Sequence, residues 1–352
     1  MIYRNGLHKL LLISSFSRQI RAKCHTLSGK DLSIVFFGND SFSLSSLKPL
    51  HGKLVSGSDL IRQLTVVSVS HSIISQFANK NGLHLLTWPL YELDHSYDVG
   101  IVVSFGHLIH ENMIRECRMG ILNVHGSLLP RWRGASPVHH AVLAGDAVTG
   151  VTVMLIEPLK FDVGAIVAQE KYDMPDRAST AAVHADLARL GGQLLLQAVQ
   201  DLPESLKHAR PQPREGMTHA PKPKKQDGHI RFDEMTSVDV DRKCRALQGM
   251  VDLYCEWVDG KRLKLSDVVD PAILQSQPLD HIIGEDCTPG SIVYNKRRRI
   301  LCFKCKDGNW IGFESATMHG NRNMSALEFF NGYMSRLLKN PCPGCKLKQI
   351  KL

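Results

Sequence analysis

The side chains best suited to chemistry end a short apolar run, GILNVH, at residues 120–125. Such a run is typical of a buried strand, in which alternate side chains share a face. We therefore expect Asn123 and His125 to project together, while Val124 points to the opposite face. An amide donates a hydrogen bond to a developing oxyanion, and an imidazole exchanges protons near neutral pH. The pair predicts a site that binds and protonates a reacting carbonyl group.

The segment after this strand, SLLPRWRGASP, predicts the wall of a ligand pocket. Its two prolines make the backbone rigid, and its glycine lets a ligand or another backbone approach closely. Arg131 and Arg133 are candidates to bind a carboxylate or a phosphate, with solvated loop arginines as the alternative. His139 and His140 stand where a helix should begin, and we assign them to the surface or to packing.

The segments NVHGSLLPRWRGASPV (123–138) and GDAVTGVTVMLIEPLKFDVGAIV (145–167) resemble the signature of the folate-dependent formyltransferases. The resemblance is strong over residues 99–170 and extends more weakly over most of the chain. Within this family it points to the members that act on methionyl-tRNA in mitochondria. It implies transfer of a formyl group from 10-formyltetrahydrofolate, a co-substrate, to the α-amino group of the initiator methionyl-tRNA. It implies no metal.

The resemblance also implies site residues. The family's third catalytic group is the aspartate of a D-x-G motif, here Asp162 in FDVGAI. Acyl transfer needs an oxyanion donor and proton exchange, and a carboxylate beside His125 would orient the ring and stabilise its charged form. Taken singly, such a histidine is more often structural and such an aspartate more often a turn residue. The folate-binding residues implied are Phe105, Gly106, Leu108, Ser127, Leu128 and Leu129.

One segment departs from the family pattern. After the second strand, bacterial members carry a basic, glycine-containing loop that enters the acceptor end of the tRNA. The corresponding stretch here, SVSHSIISQFANKNG, contains one lysine, Lys80, and no arginine. We expect weak electrostatic attraction to phosphates at this loop. Either other segments compensate, or this chain binds tRNA less tightly.

The net charge of +9 is divided unevenly along the chain. Residues 1–30 carry +6, residues 31–207 carry −4, and residues 208–352 carry +7. A near-neutral front part followed by a basic rear part is expected when a catalytic unit is joined to a unit that binds a polyanion. A chance excess of surface lysines is the alternative.

The first 30 residues contain six basic residues, several serines and no acidic residue. This composition predicts a mitochondrial transit peptide and a location in the matrix. A secretory signal is the alternative because residues 10–13 are apolar, but Arg18, Arg21 and Lys23 follow this run too closely. The longest apolar runs fall short of the roughly 20 residues that cross a bilayer, so we expect no association with a membrane. We also expect a monomer.

Short apolar runs separated by helix-like segments predict an α/β fold with a Rossmann-like parallel sheet. Apolar residues at three- and four-residue steps predict a helix over 180–200. The turn FFGNDSFSL lacks the G-x-G-x-x-G pattern of a nicotinamide dinucleotide site. The expected strands are 33–38, 98–104, 120–124 and 151–155.

The rear part reads as a second domain. Residues 208–225 carry four prolines and five basic residues, which predicts a semi-rigid linker. A helix is expected near 241–250, and turn signals at Asp259-Gly260, Asn295 and Asp307-Gly308 separate short strands, as in a small β-barrel. The predicted regions are a transit peptide (1–30), a formyltransferase catalytic domain (31–207), the linker (208–225) and a C-terminal β-barrel domain that binds tRNA (226–352).

The basic residues of the linker and of one hairpin turn are the candidates for tRNA binding. The family has an important lysine near the domain junction, and Lys222 in THAPK is its best match. The alternative for the hairpin arginines is that they belong to a solvated turn without a binding role. The candidates are Lys222, Lys224, Lys225, Arg297, Arg298 and Arg299.

Nine cysteines without a secretory signal favour a reducing compartment. Two Cys-x-x-Cys pairs, at 302–305 and 342–345, are spaced too far apart for an ordinary zinc ribbon, so we expect no metal. Two other functions remain open at this point: formylation of a small amine, and RNA binding by an inactive formyltransferase domain. A basic rear part and a transit peptide disfavour the first, and the intact catalytic residues disfavour the second.

Overall fold

A computed structural model describes residues 30–275 and 287–336. The predicted transit peptide, except for Lys30, lies outside the described residues, and so do Cys342 and Cys345. The described chain forms two compact units. Unit 1 contains the residues up to Ala141, Asp146–Asp176 and Ala181–Lys222. Unit 2 contains Val142–Gly145, Arg177–Thr180 and the residues from Pro223 onward.

Unit 1 is built on a seven-stranded sheet in the order β3-β2-β1-β4-β5-β6-β7. Strands β1 to β5 are parallel to one another, whereas β6 and β7 are each antiparallel to the strand before them. The strands are β1 (Leu32–Gly38), β2 (Ile61–Val69), β3 (His84–Trp88), β4 (Val99–Val103), β5 (Ile121–His125), β6 (Val148–Leu155) and β7 (Ile166–Asp173).

Helices connect these strands, and the apolar runs and the helix predicted over 180–200 are confirmed. Helix α1 begins with a capping box at Asp40, whose side chain accepts a hydrogen bond from the Ser43 backbone. The helices are α1 (Ser41–Val55), α2 (Ile73–Lys80), α3 (Glu111–Arg115), α4 (Pro137–Ala144), α5 (Thr180–Gln200) and α6 (Glu204–Lys207).

Strand β6 differs from the sequence prediction, because residues 151–155 were expected to extend the parallel part of the sheet. In the structure β6 instead runs antiparallel to β5, and Thr152 pairs with His125. An apolar run that is buried on both faces carries no signal for its direction.

The two faces of β5 have different surroundings. On one face, Ile121 belongs to a buried cluster with Val35, Phe37, Val102 and Phe105. The other face is so close to α5 that a β-carbon on Gly191 would lie 2.8 Å from Val124. Because side chains alternate, Asn123 and His125 share the face of Ile121.

Unit 2 contains a six-stranded antiparallel sheet in the order β10-β11-β12-β9-β8, with β13 beside β12. The Phe232 ring stacks on Phe303 at 4.4 Å, and both contact Phe313 in the interior. The α/β fold followed by a smaller β domain is thus confirmed. The strands are β8 (Tyr254–Glu256), β9 (Arg262–Val268), β10 (Ile292–Asn295), β11 (Ile300–Lys304), β12 (Trp310–Met318) and β13 (Met324–Ser325), and the helices are α7 (Ser237–Leu247), α8 (Pro271–Gln275) and α9 (Ala326–Phe329).

Local details of unit 2 follow the turn signals. Gly260 and Gly308 adopt positive φ angles of 76° and 78° in the turns before β9 and β12, a conformation that glycine adopts without strain. Helix α7 begins four residues earlier than the helix expected near 241, at the Thr236 cap, whose hydroxyl accepts from the Asp239 backbone. Among the described residues, no helix is both long and apolar enough to cross a membrane.

Candidate active site

The strand β5 presents Asn123 and His125 at its carboxyl end. His125 is buried, and its side chain is 7% exposed, while Asn123 is half-buried. Within the described ranges the Asn123 amide makes no hydrogen bond, so both of its donor hydrogens are available to a ligand. A half-buried amide without a partner can donate a hydrogen bond to an oxygen atom of a bound substrate.

The hydrogen bonds of His125 fix its tautomer. Its Nε2 lies 2.9 Å from the backbone carbonyl oxygen of Trp132. Because a carbonyl only accepts, Nε2 carries a hydrogen, and Nδ1 is the nitrogen that exchanges a proton. The Nδ1 atom lies 3.7 Å from Oδ1 of Asp162, too far for a hydrogen bond and close enough for a strong attraction once the ring is charged.

Asp162 reaches His125 because the β6–β7 loop folds back over the face of β5 that carries the pair. The Asp162 side chain is 13% exposed, and its Oδ2 accepts a hydrogen bond of 2.8 Å from the Gly134 backbone. Its own backbone has a positive φ of 53°, which is uncommon for a residue other than glycine. The structure therefore brings together Asn123, His125 and Asp162, the three residues that the sequence singled out for catalysis.

Gly164 sets how closely this loop packs on the sheet. A β-carbon at this position would lie 1.7 Å from the carbonyl oxygen of Leu155, so only glycine fits. The Gln212 amide clamps the same loop from the other side, donating to the carbonyl oxygens of Asp162 (3.0 Å) and Gly164 (2.9 Å). These contacts hold the Asp162 carboxylate near the imidazole.

The segment 208–222, which the sequence predicts to be the first part of a linker, packs against the active-site loop within unit 1. Its backbone forms a parallel bridge in which Arg133 donates to Thr218 (2.9 Å) and accepts from Ala220 (2.7 Å). The Thr218 hydroxyl accepts from the Trp132 backbone at 2.9 Å. This segment thus supports the carbonyl group of Trp132 that orients His125.

Thr152 and Gln169 organise the loop after β5, and neither was predicted from the sequence. The Thr152 hydroxyl donates to the Ser127 carbonyl oxygen (2.6 Å) and accepts from the Leu129 backbone (3.1 Å). The Gln169 amide donates to the Leu129 carbonyl oxygen and to Thr152, both at 2.9 Å. Strand residues with polar side chains have no sequence pattern that marks them as loop supports.

The two loop arginines bind groups of the protein itself. Arg131 forms a two-pronged ion pair with Asp146, which also accepts from the indole of Trp132 at 2.7 Å. The hydrogen bond between Arg131 and Asp146 raises the pKa of the Arg131 guanidinium. Arg133 donates to Gln212, and burial lowers the pKa of the Arg133 guanidinium. Neither arginine is the solvated loop residue of the alternative interpretation.

The predicted folate-binding residues follow two adjacent strands at one edge of the sheet. Phe105 is buried, with its ring 5.5 Å from Phe37 and its carbonyl oxygen bound by the Asn39 amide at 2.5 Å. Leu108 is 50% exposed, and Gly106 is exposed with a φ of 76°. After β5, Ser127 and Leu129 are buried and Leu128 is half-buried. The exposed members offer the surface that a ligand would contact.

The predicted tRNA-binding residues lie in two places. Lys222, Lys224 and Lys225 are all exposed, on either side of the boundary between the units in the sequence. Arg297 and Arg299 are exposed in the β10–β11 turn, where Arg298 is half-buried. The lysines precede α7 in the chain and the arginines lie between β10 and β11, so the candidates belong to two different segments.

His139, His140, Cys302 and Cys305 have environments within the protein that account for them. His139 is partly buried, and this lowers its pKa, while His140 donates to the Pro221 carbonyl oxygen at 2.9 Å. Burial raises the pKa of Cys302 and of Cys305 to about 12. In the part of the chain that the structure describes, no group of three or more His, Cys, Asp or Glu residues is arranged to hold a metal ion.

Comparison with known proteins gives two family matches and a set of curated relatives. The family described as formyl transferase matches residues 91–199, and the formyl transferase C-terminal domain matches 222–334. The chain is 40% identical over 309 residues to a mitochondrial methionyl-tRNA formyltransferase of Bos taurus, covering 86% of the chain and 77% of the relative. A methionyl-tRNA formyltransferase of Paracoccus denitrificans is 38% identical over 168 residues, covering 48% of the chain and 54% of the relative.

Solved structures share the fold at low sequence identity. HypX from Aquifex aeolicus in complex with tetrahydrofolic acid matches with a TM-score of 0.51 at 15% identity, covering 85% of the chain and 47% of HypX. WlaRD, a sugar 3N-formyl transferase in the presence of dTDP and 5-N-formyl-THF, matches with a TM-score of 0.56 at 15% identity, covering 83% of the chain and 99% of WlaRD.

Proposed function

The chain belongs to the formyltransferase family, and on that premise we propose that it transfers the formyl group of 10-formyltetrahydrofolate to the α-amino group of methionyl-tRNA in mitochondria. The observation that carries this proposal is the convergence of Asn123, His125 and Asp162 on one face of β5. The names of the mitochondrial relatives support the substrate and the compartment. The folate ligands of the structures that share the fold support the donor.

Asn123 serves as the oxyanion donor in this proposal. Formyl transfer to an amine places negative charge on the formyl oxygen as the new C–N bond forms. The unpartnered amide of Asn123 donates a hydrogen bond to that oxygen. A positioned donor of this kind acts most strongly where charge develops in a site that excludes water.

His125 and Asp162 exchange the protons. The attacking amine loses a proton as the bond forms, and the folate nitrogen gains one as it leaves. Nδ1 of His125 is the available base because Nε2 is held by the Trp132 carbonyl oxygen. The carboxylate of Asp162, 3.7 Å away, stabilises the charged ring between the two transfers. The hydrogen bond from Gly134 holds that carboxylate in place.

The direct test compares acceptors with a single donor. The purified chain is incubated with 10-formyltetrahydrofolate and, separately, with methionyl-tRNA, an amino-sugar nucleotide and glycinamide ribotide. We expect formylation of the charged tRNA alone. Preferential formylation of either small amine would contradict the proposed substrate, and a lack of turnover with all three would contradict the proposed activity.

Replacing Lys222, Lys224 and Lys225 together by alanine is expected to raise the KM for methionyl-tRNA severalfold and to leave the KM for the folate unchanged. All three lysines are exposed, and none of their side chains forms an ion pair in the described ranges. If they bind phosphates, each lost contact flattens the log–log dependence of binding on salt by about 0.9. Kinetics at several salt concentrations measure both quantities.

A charge-matched variant serves as the control for this experiment. Lys48, Lys171 and Lys306 are exposed lysines in three other places on the two units. Their joint replacement by alanine removes the same charge and should change the salt dependence much less. Equal effects of the two triple variants would show that net charge, rather than a local contact, governs the tRNA affinity.

Deleting residues 1–30 is expected to abolish mitochondrial import while leaving formylation intact. The sheet begins only at Leu32, and the deletion removes one exposed ion pair, between Lys30 and Asp59, which adds little stability. Import into isolated mitochondria and activity of the purified enzyme are measured side by side. A full-length variant with Arg4, Arg18 and Arg21 changed to glutamine tests the charge requirement. Loss of activity on deletion would instead make the segment structural.

A further inference from the structure

Unit 2 contains a cavity of about 1000 Å³ that the reaction at β5 does not use. Its wall is formed by the turn after α7, by β8 and β9, and by the end of β12. All of these elements belong to unit 2. The volume lies at the upper end of the range for small-molecule sites, so a nucleotide fits within it.

An aromatic row crosses the sheet at the wall of this cavity. Tyr254 on β8 has β9 on one edge and a bridge to His229 on the other. The His229 ring stacks on Tyr254 at 5.0 Å and an interplanar angle of 5°. The Arg262 guanidinium lies 4.5 Å from the centre of the Tyr254 ring. Because its two neighbours come from opposite edges of β8, Tyr254 is the middle of a row His229–Tyr254–Arg262.

Arg262 ends this row with its charge uncompensated by a carboxylate. It lies opposite Glu256 in strand register, yet within the described residues it forms no ion pair, and its guanidinium covers the tyrosine ring instead. Both Arg262 and Tyr254 line the cavity. A planar guanidinium stacked on an aromatic ring is fixed in orientation, and its outer face is a surface on which a nucleobase stacks.

The other charges on the wall favour an anionic ligand. Lys225, one of the residues that the sequence singled out for tRNA binding, lines the cavity and has no carboxylate partner in the described chain. Lys264 pairs with Asp252 at 2.6 Å, but the Asp252 side chain is 74% exposed, so this pair is readily exchanged for a phosphate. Asp267, an acidic residue on the same wall, is already bound within the protein, because it accepts a hydrogen bond from the Ser315 hydroxyl at 2.6 Å.

We propose that this cavity receives an unpaired nucleotide of the tRNA, with its base stacked on Arg262 and its flanking phosphates bound by Lys225 and Lys264. The inference rests on the proposed function, because it takes the RNA to be the tRNA substrate. An unpaired nucleotide is the occupant that fits, since a base within a helix has no free face to stack and a phosphate alone does not need the aromatic row.

The test measures binding of fluorescently labelled uncharged tRNA to the full chain as a function of salt. Replacing Arg262 by alanine should weaken binding roughly tenfold, the scale of one lost base stack, and change the salt slope little, because the phosphates are bound by Lys225 and Lys264. Replacing it by lysine keeps the charge and removes the plane, so the slope should be retained while most of the affinity loss remains. Lys306→Ala, at an exposed residue of the same unit that does not line the cavity, should bind as the wild type does.

A second probe separates an unpaired nucleotide from a duplex. The Arg262→Ala variant should lose affinity for a short single-stranded RNA and keep its affinity for a duplex RNA of equal length. Unchanged binding of tRNA and single-stranded RNA by this variant, or full recovery with lysine, would overturn the proposal. These outcomes are independent of the proposed function, because wild-type formylation of methionyl-tRNA is measured separately and would stand if only the cavity proposal failed.

Discussion

Replacing His125 with alanine is expected to lower kcat for formylation by roughly 100-fold or more, the scale of losing a group that exchanges protons with the reacting atoms. The side chain is buried at the end of β5, and its Nε2 is already bound to Trp132. The variant therefore loses the base at Nδ1 while the β5 backbone remains paired with β4 and β6. Initial rates at saturating concentrations of both substrates measure the effect.

The role of Asp162 is tested through its dependence on His125. In Asp162→Asn the side-chain oxygen still accepts from the Gly134 backbone, so the loop keeps its anchor and loses only its charge. We expect kcat to fall roughly 100-fold. If Asp162 acts by stabilising the charged ring of His125, the double variant should be no slower than His125→Ala alone, because residues that act as one unit are not additive.

Two controls distinguish a lost catalytic group from a damaged site. Binding of tetrahydrofolate, followed by calorimetry, should survive in all three variants, because no folate contact is assigned to His125 or Asp162. His208→Ala removes an exposed imidazole of unit 1 whose side chain makes no hydrogen bond in the described residues, and it should leave kcat unchanged. Near-normal turnover of His125→Ala would overturn the catalytic assignment.

The part of the site that the sequence predicts is the part encoded in local periodicity. Strand alternation places Asn123 and His125 on one face, and the structure has them on the face of Ile121. The aspartate could be predicted only from the family's D-x-G motif. Nothing in the chain between β6 and β7 indicates that this loop folds back over the sheet, because the contacts that hold it come from residues far away in the sequence.

Composition alone does not report the backbone pairing of the segment 208–222. Its prolines and basic residues are typical of an exposed linker, yet its backbone hydrogen-bonds to that of Arg133. The prolines at 211, 213 and 221 alternate with residues whose backbone amides can still donate hydrogen bonds. Gly134 allows the close approach of the segment, since a β-carbon at residue 134 would lie 2.7 Å from the Ala220 carbonyl oxygen. Pairing between distant segments depends on tertiary contacts, which composition does not report.

The arginines of the loop show the same limit. Arg131 and Arg133 have the composition of a phosphate site, and the sequence could not distinguish that use from solvation. Their partners, Asp146 and Gln212, lie 15 and 79 residues further along the chain. Both arginines instead hold the loop that carries the Trp132 carbonyl group, Arg131 through the Asp146 carboxylate and Arg133 through the Gln212 amide.

Replacing Gly164 with alanine is expected to lower kcat roughly 100-fold, although residue 164 contacts no substrate atom in the proposed mechanism. The new β-carbon would lie 1.7 Å from the Leu155 carbonyl oxygen, so the loop backbone has to move by more than an ångström. That movement carries Asp162 away from Nδ1 of His125, and a displacement of about 1 Å at a catalytic group costs on the order of 100-fold.

The same strain should lower the free energy of unfolding by about 1–3 kcal/mol, the usual cost of overpacking a tight site, and thus lower Tm by several degrees. Gly52→Ala is the matched control, because a β-carbon in that turn of α1 meets nothing within 4 Å and alanine is favoured in a helix. It should keep wild-type kcat with an unchanged or higher Tm. Wild-type kcat in Gly164→Ala would mean that the position of Asp162 does not limit the reaction, and that the short distance between Gly164 and Leu155 serves packing alone.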